Sequence, residues 1–490
     1  MLKYLKPKFS ESTNTPNFFK INISSLRKRR FSKIFKFLLL ILNIIFILNI
    51  FFLLFFCHLK IFEYVIKIKT LILNYIDYET IEIYNDDLID GSIAERQNGA
   101  LISLVRNEEL EGMIDSIESL EDRYNLNFNY DWVFMNEKPF TKEFKDKISD
   151  AVSGRAIFVK IPNKYWSLPS SIDYSKMKSS FKKLSQLKIM YANLLSYRFM
   201  CRFNSGFFYK LNALKDYKYY WRVEPSVKFN CDIPFEDDPF KIMIENDKKY
   251  GFVMTMYEDK KTIETLWDHS KKFFNENKNL IKSENTLKFI LNNERNGEIT
   301  YDENNDYNLC HYWSNFEIGS LDFFRSKAYN DYFNYLDSTN NFFYERWGDA
   351  PIHTIATSYL LSIDEIQFFD SISYYHKPNL SCPKNKQLRE YLNCDCDPKD
   401  DFTWHKFSCT NRFFKVFNLD YPISYFEDAK LDSNLRKINK LNDQKSSGDK
   451  KSNKNKNNKK ILRGKLRNKI KNDKKMKKLS GKLKKNVNNN

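Results

Sequence analysis

Glycine is scarce in this chain, at 12 of 490 residues, and none of it forms the phosphate-cradling loop of mononucleotide enzymes. HExxH and GxSxG are missing too, which excludes the zinc-protease and serine-hydrolase sites that those spacings build. No nucleic-acid-binding motif is present. Charge of one sign is also absent from most of the chain. The formal net charge is +18, yet residues 434–490 alone hold 22 Lys and Arg against 3 Asp, so the preceding residues are close to neutral. The basic character is a property of the tail and says little about the body. That tail is rich in Lys and Asn and poor in large apolar side chains, so it cannot offset its own ordering entropy and is predicted to be disordered.

Long hydrophobic runs are absent but for one. Phe37–Cys57 is 21 residues without a charge, enough to cross a hydrocarbon core of about 30 Å as a helix. Arg27, Lys28, Arg29, Arg30, Lys33 and Lys36 crowd its N-terminal side, whereas Lys60 stands alone beyond it. The positive-inside rule then predicts a type II signal-anchor: residues 1–36 cytosolic, 37–57 spanning, and everything later lumenal. The run is too long, and its basic flank too far in, for a cleaved signal peptide. Residues 58–97 read as a stem, 98–430 as the folded body and 431–490 as the tail. Seven cysteines follow the anchor, an odd number, so an oxidising lumen leaves at least one free or paired between chains. The one-residue gap of Cys394-Asp-Cys396 suits disulfides better than zinc.

The body opens as an α/β domain. Ala100–Val105 is a short apolar run, Leu110, Met113, Ile114, Ile117 and Leu120 keep helical spacing, and Asp131–Met135 is a second apolar run. Strand, helix, strand at this spacing predicts a parallel sheet, with ligands beyond the C-terminal ends of its strands. Arg106 stands at one such end, where it could reach a phosphate or remain a surface arginine. Lys188–Phe208 reads as a helix. Tyr219–Val223 reads as a strand that Pro225 stops, leaving Glu224 at its end as a metal-holding carboxylate or a salt-bridge partner of Arg222. His376 lies in a tyrosine-rich segment before Pro378, either as a ligand or as a structural histidine. The most unusual stretch is Tyr307–His353, which scatters Glu317, Asp322, Arg325, Glu345, Arg346 and Asp349 among aromatic residues with no single period. Rings beside carboxylates suit a pocket for a sugar or nucleotide.

Many ordered blocks then carry a resemblance. They are LVRN at Leu104–Asn107, EDRYN at Glu121–Asn125, CRFNSGFFYK at Cys201–Lys210, YYWRVEPSVKFNCDI, YGFVMTMYE at Tyr250–Glu258, TIETLWD, YNLCHYWSNFEI, DFFRS, FFYERWGDAPIH and YYH. From about Ala100 to Phe414 the chain resembles the fungal Kre2/Mnt1 (KTR) family of α-1,2-mannosyltransferases, glycosyltransferase family 15. The resemblance implies an α/β, GT-A-like fold with a mixed central sheet, GDP-mannose as donor and Mn²⁺ as metal. It further implies transfer to the 2-hydroxyl of a mannose on N- or O-linked glycoprotein glycans, with retention, in the Golgi membrane. Glu317 matches the carboxylate proposed as nucleophile, and Glu224 and His376 match metal and diphosphate positions. Arg106 matches a nucleotide-contacting arginine, Tyr197 a tyrosine near metal and donor, and Asp349 and Glu345 a donor or acceptor pocket. Three departures stand out: Ser226 where an acid would offer a second ligand, a long polar region at Phe274–Asp306 that is expected to be a surface insertion, and the basic tail. The alternative is an inactive lumenal relative that scaffolds other Golgi mannosyltransferases. The sequon Asn379-Leu-Ser381 is lumenal under this reading and open to glycosylation.

Overall fold

The computed structural model describes Leu42, residues 79–86 and 95–291, the short pieces Glu294–Arg295 and Glu298–Ile299, and residues 306–428. The expected anchor, Leu42 apart, and the basic tail lie outside the described residues. Among the described residues no helix is long and apolar enough to cross a membrane.

Apart from the short antiparallel pair Glu294–Arg295 and Glu298–Ile299, the strands are β1 (Thr80–Tyr84), β2 (Gly99–Leu104), β3 (Trp132–Asn136), β4 (Ala156–Lys160), β5 (Tyr219–Arg222), β6 (Lys228–Phe229), β7 (Tyr250–Phe252), β8 (Thr255–Tyr257), β9 (Cys310–Tyr312), β10 (Glu317–Ser320), β11 (Ile366–Phe368), β12 (Tyr374–His376) and β13 (Asn379–Ser381). Eight of them form one mixed sheet, in the order β1-β4-β3-β2-β5-β10-β7-β11. β4, β3, β2 and β5 run parallel; β10 is antiparallel to both β5 and β7. Parallel strands covered on both faces should be apolar throughout, and β3 is buried at every residue. The two faces separate by the period of two. Ala100, Ile102, Val133, Met135 and Tyr220 enter one core; Leu101, Trp132, Phe134 and Trp221 enter the other.

Five helices position the site: α1 (Leu110–Arg123), α2 (Lys142–Ser149), α3 (Leu195–Gly206), α4 (Lys327–Ser338) and α5 (Asp349–Leu360). Met113, Ile117 and Leu120 of α1 and Phe144 and Ile148 of α2 cover the Trp132–Trp221 face. α3 crosses α4 at Gly206, where a Cβ would lie 1.9 Å from the Phe333 ring, so the crossing requires glycine. Disulfides join Cys231 to Cys394, Cys310 to Cys409 and Cys382 to Cys396, and Cys201 stays free and buried. The odd cysteine and the preference for disulfides over zinc both hold.

Three expectations need correction. β1, inside the expected stem, pairs antiparallel with β4 as the edge strand of the main sheet. The helix expected from Lys188 begins at Leu195, because Lys188 and Tyr191 take positive φ and break the turn. The region read as a surface insertion sends Leu287, Phe289, Ile290 and Leu291 into the core. Tyr307–His353 lacks a period because it is no single element: it holds β9, β10, α4 and the start of α5.

Candidate active site

The strand ending at Arg222 is stopped by Pro225, and the turn that follows is fastened to α1. Ser226 takes φ 66°, its N–H donates to the Gly112 carbonyl at 2.8 Å, and a Cβ at Gly112 would collide with the Ser226 hydroxyl at 2.4 Å. The Ser116 hydroxyl donates to the Glu224 carbonyl at 2.8 Å and accepts from Val227 N–H at 3.0 Å. Position 226 therefore packs on α1 while Glu224 projects free of it. β6 then pairs with β12, Tyr375 opposite Lys228, which carries His376 back to the turn. His376 Nε2 ends 3.3 Å from Glu224 Oε2, with its ring edge-on to Trp313 at 5.2 Å. Across the β12–β13 hairpin His376 is paired with Asn379 of the sequon.

Antiparallel pairing sets Glu317 of β10 directly opposite Arg222 of β5. Gly319 lies opposite Tyr220, where a Cβ would come within 2.7 Å of the tyrosine ring, so this close register needs glycine. Asp349 opens α5, and His353 follows four residues later on the same face. Arg222 donates from Nη1 to Asp349 Oδ2 at 2.6 Å and from Nη2 to Glu224 Oε1 at 2.5 Å. Ser314 also donates to Asp349 Oδ2, at 2.8 Å. Glu317 Oε2 accepts from the Tyr250 hydroxyl at 2.9 Å and lies 2.9 Å from His353 Nδ1. One chain of charges results: Glu224, Arg222, Asp349, His353, Glu317.

Burial is the largest single influence on each ionisation here, and the partners together outweigh it. It would raise the Glu224 carboxyl, but Arg222 and His376 hold it below the usual range. Burial would raise Asp349 as well, and Arg222 and His353 outweigh it, so its pKa falls. His353 is pulled down by burial and pushed further up by Glu317. His376 likewise ends above 6.5, because the Glu224 hydrogen bond and charge outweigh desolvation.

Arg106 lies just beyond the end of β2, the parallel neighbour of β5, and is exposed. It is therefore on the same sheet edge as Glu224, and its N–H donates to Glu109 Oε2 at 2.9 Å. Tyr197 of α3 stacks on Tyr191 at 4.6 Å and under the Arg346 guanidinium at 5.1 Å. Its neighbour Cys201 and burial raise its phenol, and the charge of Asp349 adds to this. Burial pushes the Cys201 thiol up to about 12. Glu345 does not join the cluster. Its oxygens accept from the Thr265 hydroxyl at 2.6 Å and from Trp347 Nε1 at 2.7 Å, and it lines a separate cavity of about 350 Å³ with Lys176, Lys183 and His269. A larger cavity of about 550 Å³ opens by Lys218, Tyr219 and Ser320, at the start of β5 and the end of β10, and includes none of the site residues.

Sequence reasoning singled out Glu224, His376, Asp349 and Glu317 and named Arg222 as a salt-bridge partner of Glu224, which it is, but gave no role to His353, Tyr250 or Ser314. A histidine inside an apolar helix was the available signal. Among the described residues no three His, Cys, Asp or Glu side chains gather as a metal site. Glu224 and His376 nonetheless converge with their side chains 26% and 30% exposed. One carboxylate oxygen and one imidazole nitrogen suit a borderline divalent ion that completes its shell with phosphate oxygens and water.

Residues 67–418 match the family model described as glycolipid 2-alpha-mannosyltransferase. The chain is 46% identical over 330 residues to alpha-1,2 mannosyltransferase KTR1 of Saccharomyces cerevisiae, covering 67% of this chain and 81% of that protein. It is 44% identical over 328 residues to O-glycoside alpha-1,2-mannosyltransferase omh1 of Schizosaccharomyces pombe, covering 67% and 81%. The crystal structure of core-mannan synthase A (CmsA/Ktr4) from Aspergillus fumigatus in its Mn/GDP form superposes with TM-score 0.61 at 39% identity, over 69% of this chain and 91% of that one. The chain therefore belongs to the glycolipid 2-alpha-mannosyltransferase family and is a mannosyltransferase.

Proposed function

We propose that this chain moves mannose from GDP-mannose to the 2-hydroxyl of a mannose on N- or O-linked glycoprotein glycans, with Mn²⁺ and with retention of the α configuration. The observation that carries the reading is the connected cluster at the sheet edge. Glu224 and His376 form a divalent-ion corner, and the buried carboxylate Glu317 stands four links further along the same charge chain. The Mn/GDP form of the Aspergillus relative supports both the metal and the nucleotide.

Glu224 and His376 would hold the metal, which when bound neutralises the diphosphate leaving group. Arg106, exposed on the same edge, is placed to meet the nucleotide phosphates. Arg222 touches no substrate in this scheme: it fixes Glu224 and Asp349 relative to each other. As the bond from the anomeric carbon to the diphosphate oxygen breaks, that oxygen keeps the electron pair and positive charge grows on the sugar. The buried Glu317 carboxylate, placed at the sugar in this scheme, favours that charge. Glu317 either bonds to the anomeric carbon and is displaced by the acceptor hydroxyl, or stabilises the cationic sugar while the acceptor attacks from the leaving-group side. In either route the acceptor hydroxyl's proton passes to an oxygen of the departing diphosphate, and configuration is retained.

We further assign the chain to the Golgi membrane as a GT-A-like type II protein with a lumenal catalytic body. The asymmetric basic flank of residues 37–57 and the three disulfides support this topology. The test is purified enzyme with GDP-mannose, Mn²⁺ and methyl α-mannoside, with product linkage read by NMR. An α-1,2-linked disaccharide that disappears with EDTA is expected. Absence of transfer to any mannose acceptor would overturn the reading.

A further inference from the structure

Both ring nitrogens of His353 face acceptors. Nε2 is 3.1 Å from the carbonyl oxygen of Asn204; a carbonyl carries no proton, so Nε2–H must be the donor. Nδ1 is 2.9 Å from Glu317 Oε2, an oxygen that already accepts from Tyr250. One proton lies between Nδ1 and Oε2, and its position is set by the surroundings. Two donors converging on one carboxylate oxygen favour its ionised form. The imidazole is fully buried and Glu317 is 1% exposed, so water solvates neither charge. The groups packed around the ring decide the balance. Asp349, on the same helix, adds to the positive drift set by Glu317, whereas burial and Arg222 of β5 oppose it. From α4 the Tyr329 ring meets the imidazole at 6.2 Å, but its hydroxyl is spent on the Ser205 carbonyl. Phe324 covers the imidazole at 5.0 Å and brings no charge.

We propose that His353 is a positioning residue of the transfer reaction, a buried imidazolium that keeps the Glu317 carboxylate ionised and locked through Oε2, so that the reacting role falls to Oε1. This rests on the placement of Glu317 at the sugar in the proposed function. It explains how a nearly inaccessible carboxylate remains charged without water, since an unpaired buried carboxylate takes up a proton instead. It also explains why α5 carries a histidine among buried side chains that, Asp349 apart, are apolar or hydroxyl-bearing.

Two measurements test it. The first is a long-range ¹H–¹⁵N spectrum of the metal-free full chain with ¹⁵N-labelled histidine, His353 being assigned by its loss in His353→Gln. We expect the His353 imidazole to keep both nitrogens protonated at pH 7.5, well above the ordinary midpoint of about 6.5. A neutral tautomer for His353 at that pH overturns the proposal, whatever the enzyme transfers. The second is the pH profile of His353→Gln, which keeps an amide donor but no charge. The acid limb of kcat/KM should move up by about one pH unit or more, with kcat down about tenfold or more and KM for GDP-mannose within about twofold. A fall in kcat with an unmoved acid limb would mark His353 as merely structural and overturn the proposal. If the variant does not fold, the wild-type spectrum still decides, with assignment by elimination from single replacements of the other five histidines.

Discussion

Replacing Arg222 with methionine removes the cation that two carboxylates share. The guanidinium donates at 2.6 Å to Asp349 and at 2.5 Å to Glu224. Arg222 and Asp349 are 9% and 8% exposed, so solvent screens the pair little. Breaking a buried pair by removing one partner costs about 3–5 kcal/mol, because the other charge stays buried and uncompensated. Arg222→Met should therefore lose about that much stability in urea unfolding with the disulfides intact. The loss has a structure that a cycle can read. In Arg222→Met/Asp349→Leu the orphaned carboxylate is gone as well, so the double variant should recover about 2–3 kcal/mol relative to the sum of the singles. GDP binding should weaken in the single variant, since Glu224 would lose the contact that fixes its rotamer. Single variants that add without coupling, or an Arg222→Met protein within about 1 kcal/mol of wild type, would refute the charge chain as the organiser of the site.

Other outcomes follow from individual contacts. His376→Ala and Glu224→Ala should each weaken Mn²⁺-dependent GDP binding at least about tenfold by calorimetry, with folding retained; unchanged binding would place the ion elsewhere. Cys310→Ser/Cys409→Ser opens a crosslink between residues 99 apart and should cost about 4–5 kcal/mol on loop entropy, read as a lower urea midpoint. His353 has a raised folded-state pKa, so its contribution is complete below the unfolded value of about 6.5 and is lost as pH rises through the folded value. The unfolding midpoint should fall with pH in that window, and the slope should be smaller in His353→Gln, where His376, also raised, keeps its own share. Glu345→Gln should leave donor binding nearly unchanged, because its contacts are to Thr265 and Trp347; a large loss of donor affinity would return it to the site.

The parts of the fold legible in the sequence were those whose burial is uniform or periodic. β2, β3, α1 and β5 fell within a residue or two of expectation, because continuous apolar runs and 3.6-residue spacing leave little choice. β1 was hidden because its residues are mostly exposed; an edge strand that covers little core reads like a stem. The Leu287–Leu291 segment was hidden by polar neighbours on both sides. Glu317 and His376 emerged because family blocks surround them, and Glu224 because Pro225 stops its strand. What joins them was not legible. The register that sets Glu317 against Arg222, and the approach of α5 that brings Asp349 and His353 to them, are tertiary facts without a local signature. Glu345 was drawn in by sequence proximity to Asp349, yet the three residues between them include the turn into α5 and point its side chain elsewhere.

The most direct test of Glu317 as the reacting carboxylate is turnover by Glu317→Gln, with GDP binding measured on the same preparation. The amide keeps the shape and removes the charge, so Mn²⁺-dependent GDP binding should stay within about threefold while kcat falls about 100-fold or more. A Glu317→Gln enzyme that keeps most of its turnover, or one that loses GDP binding in step with activity, would contradict it.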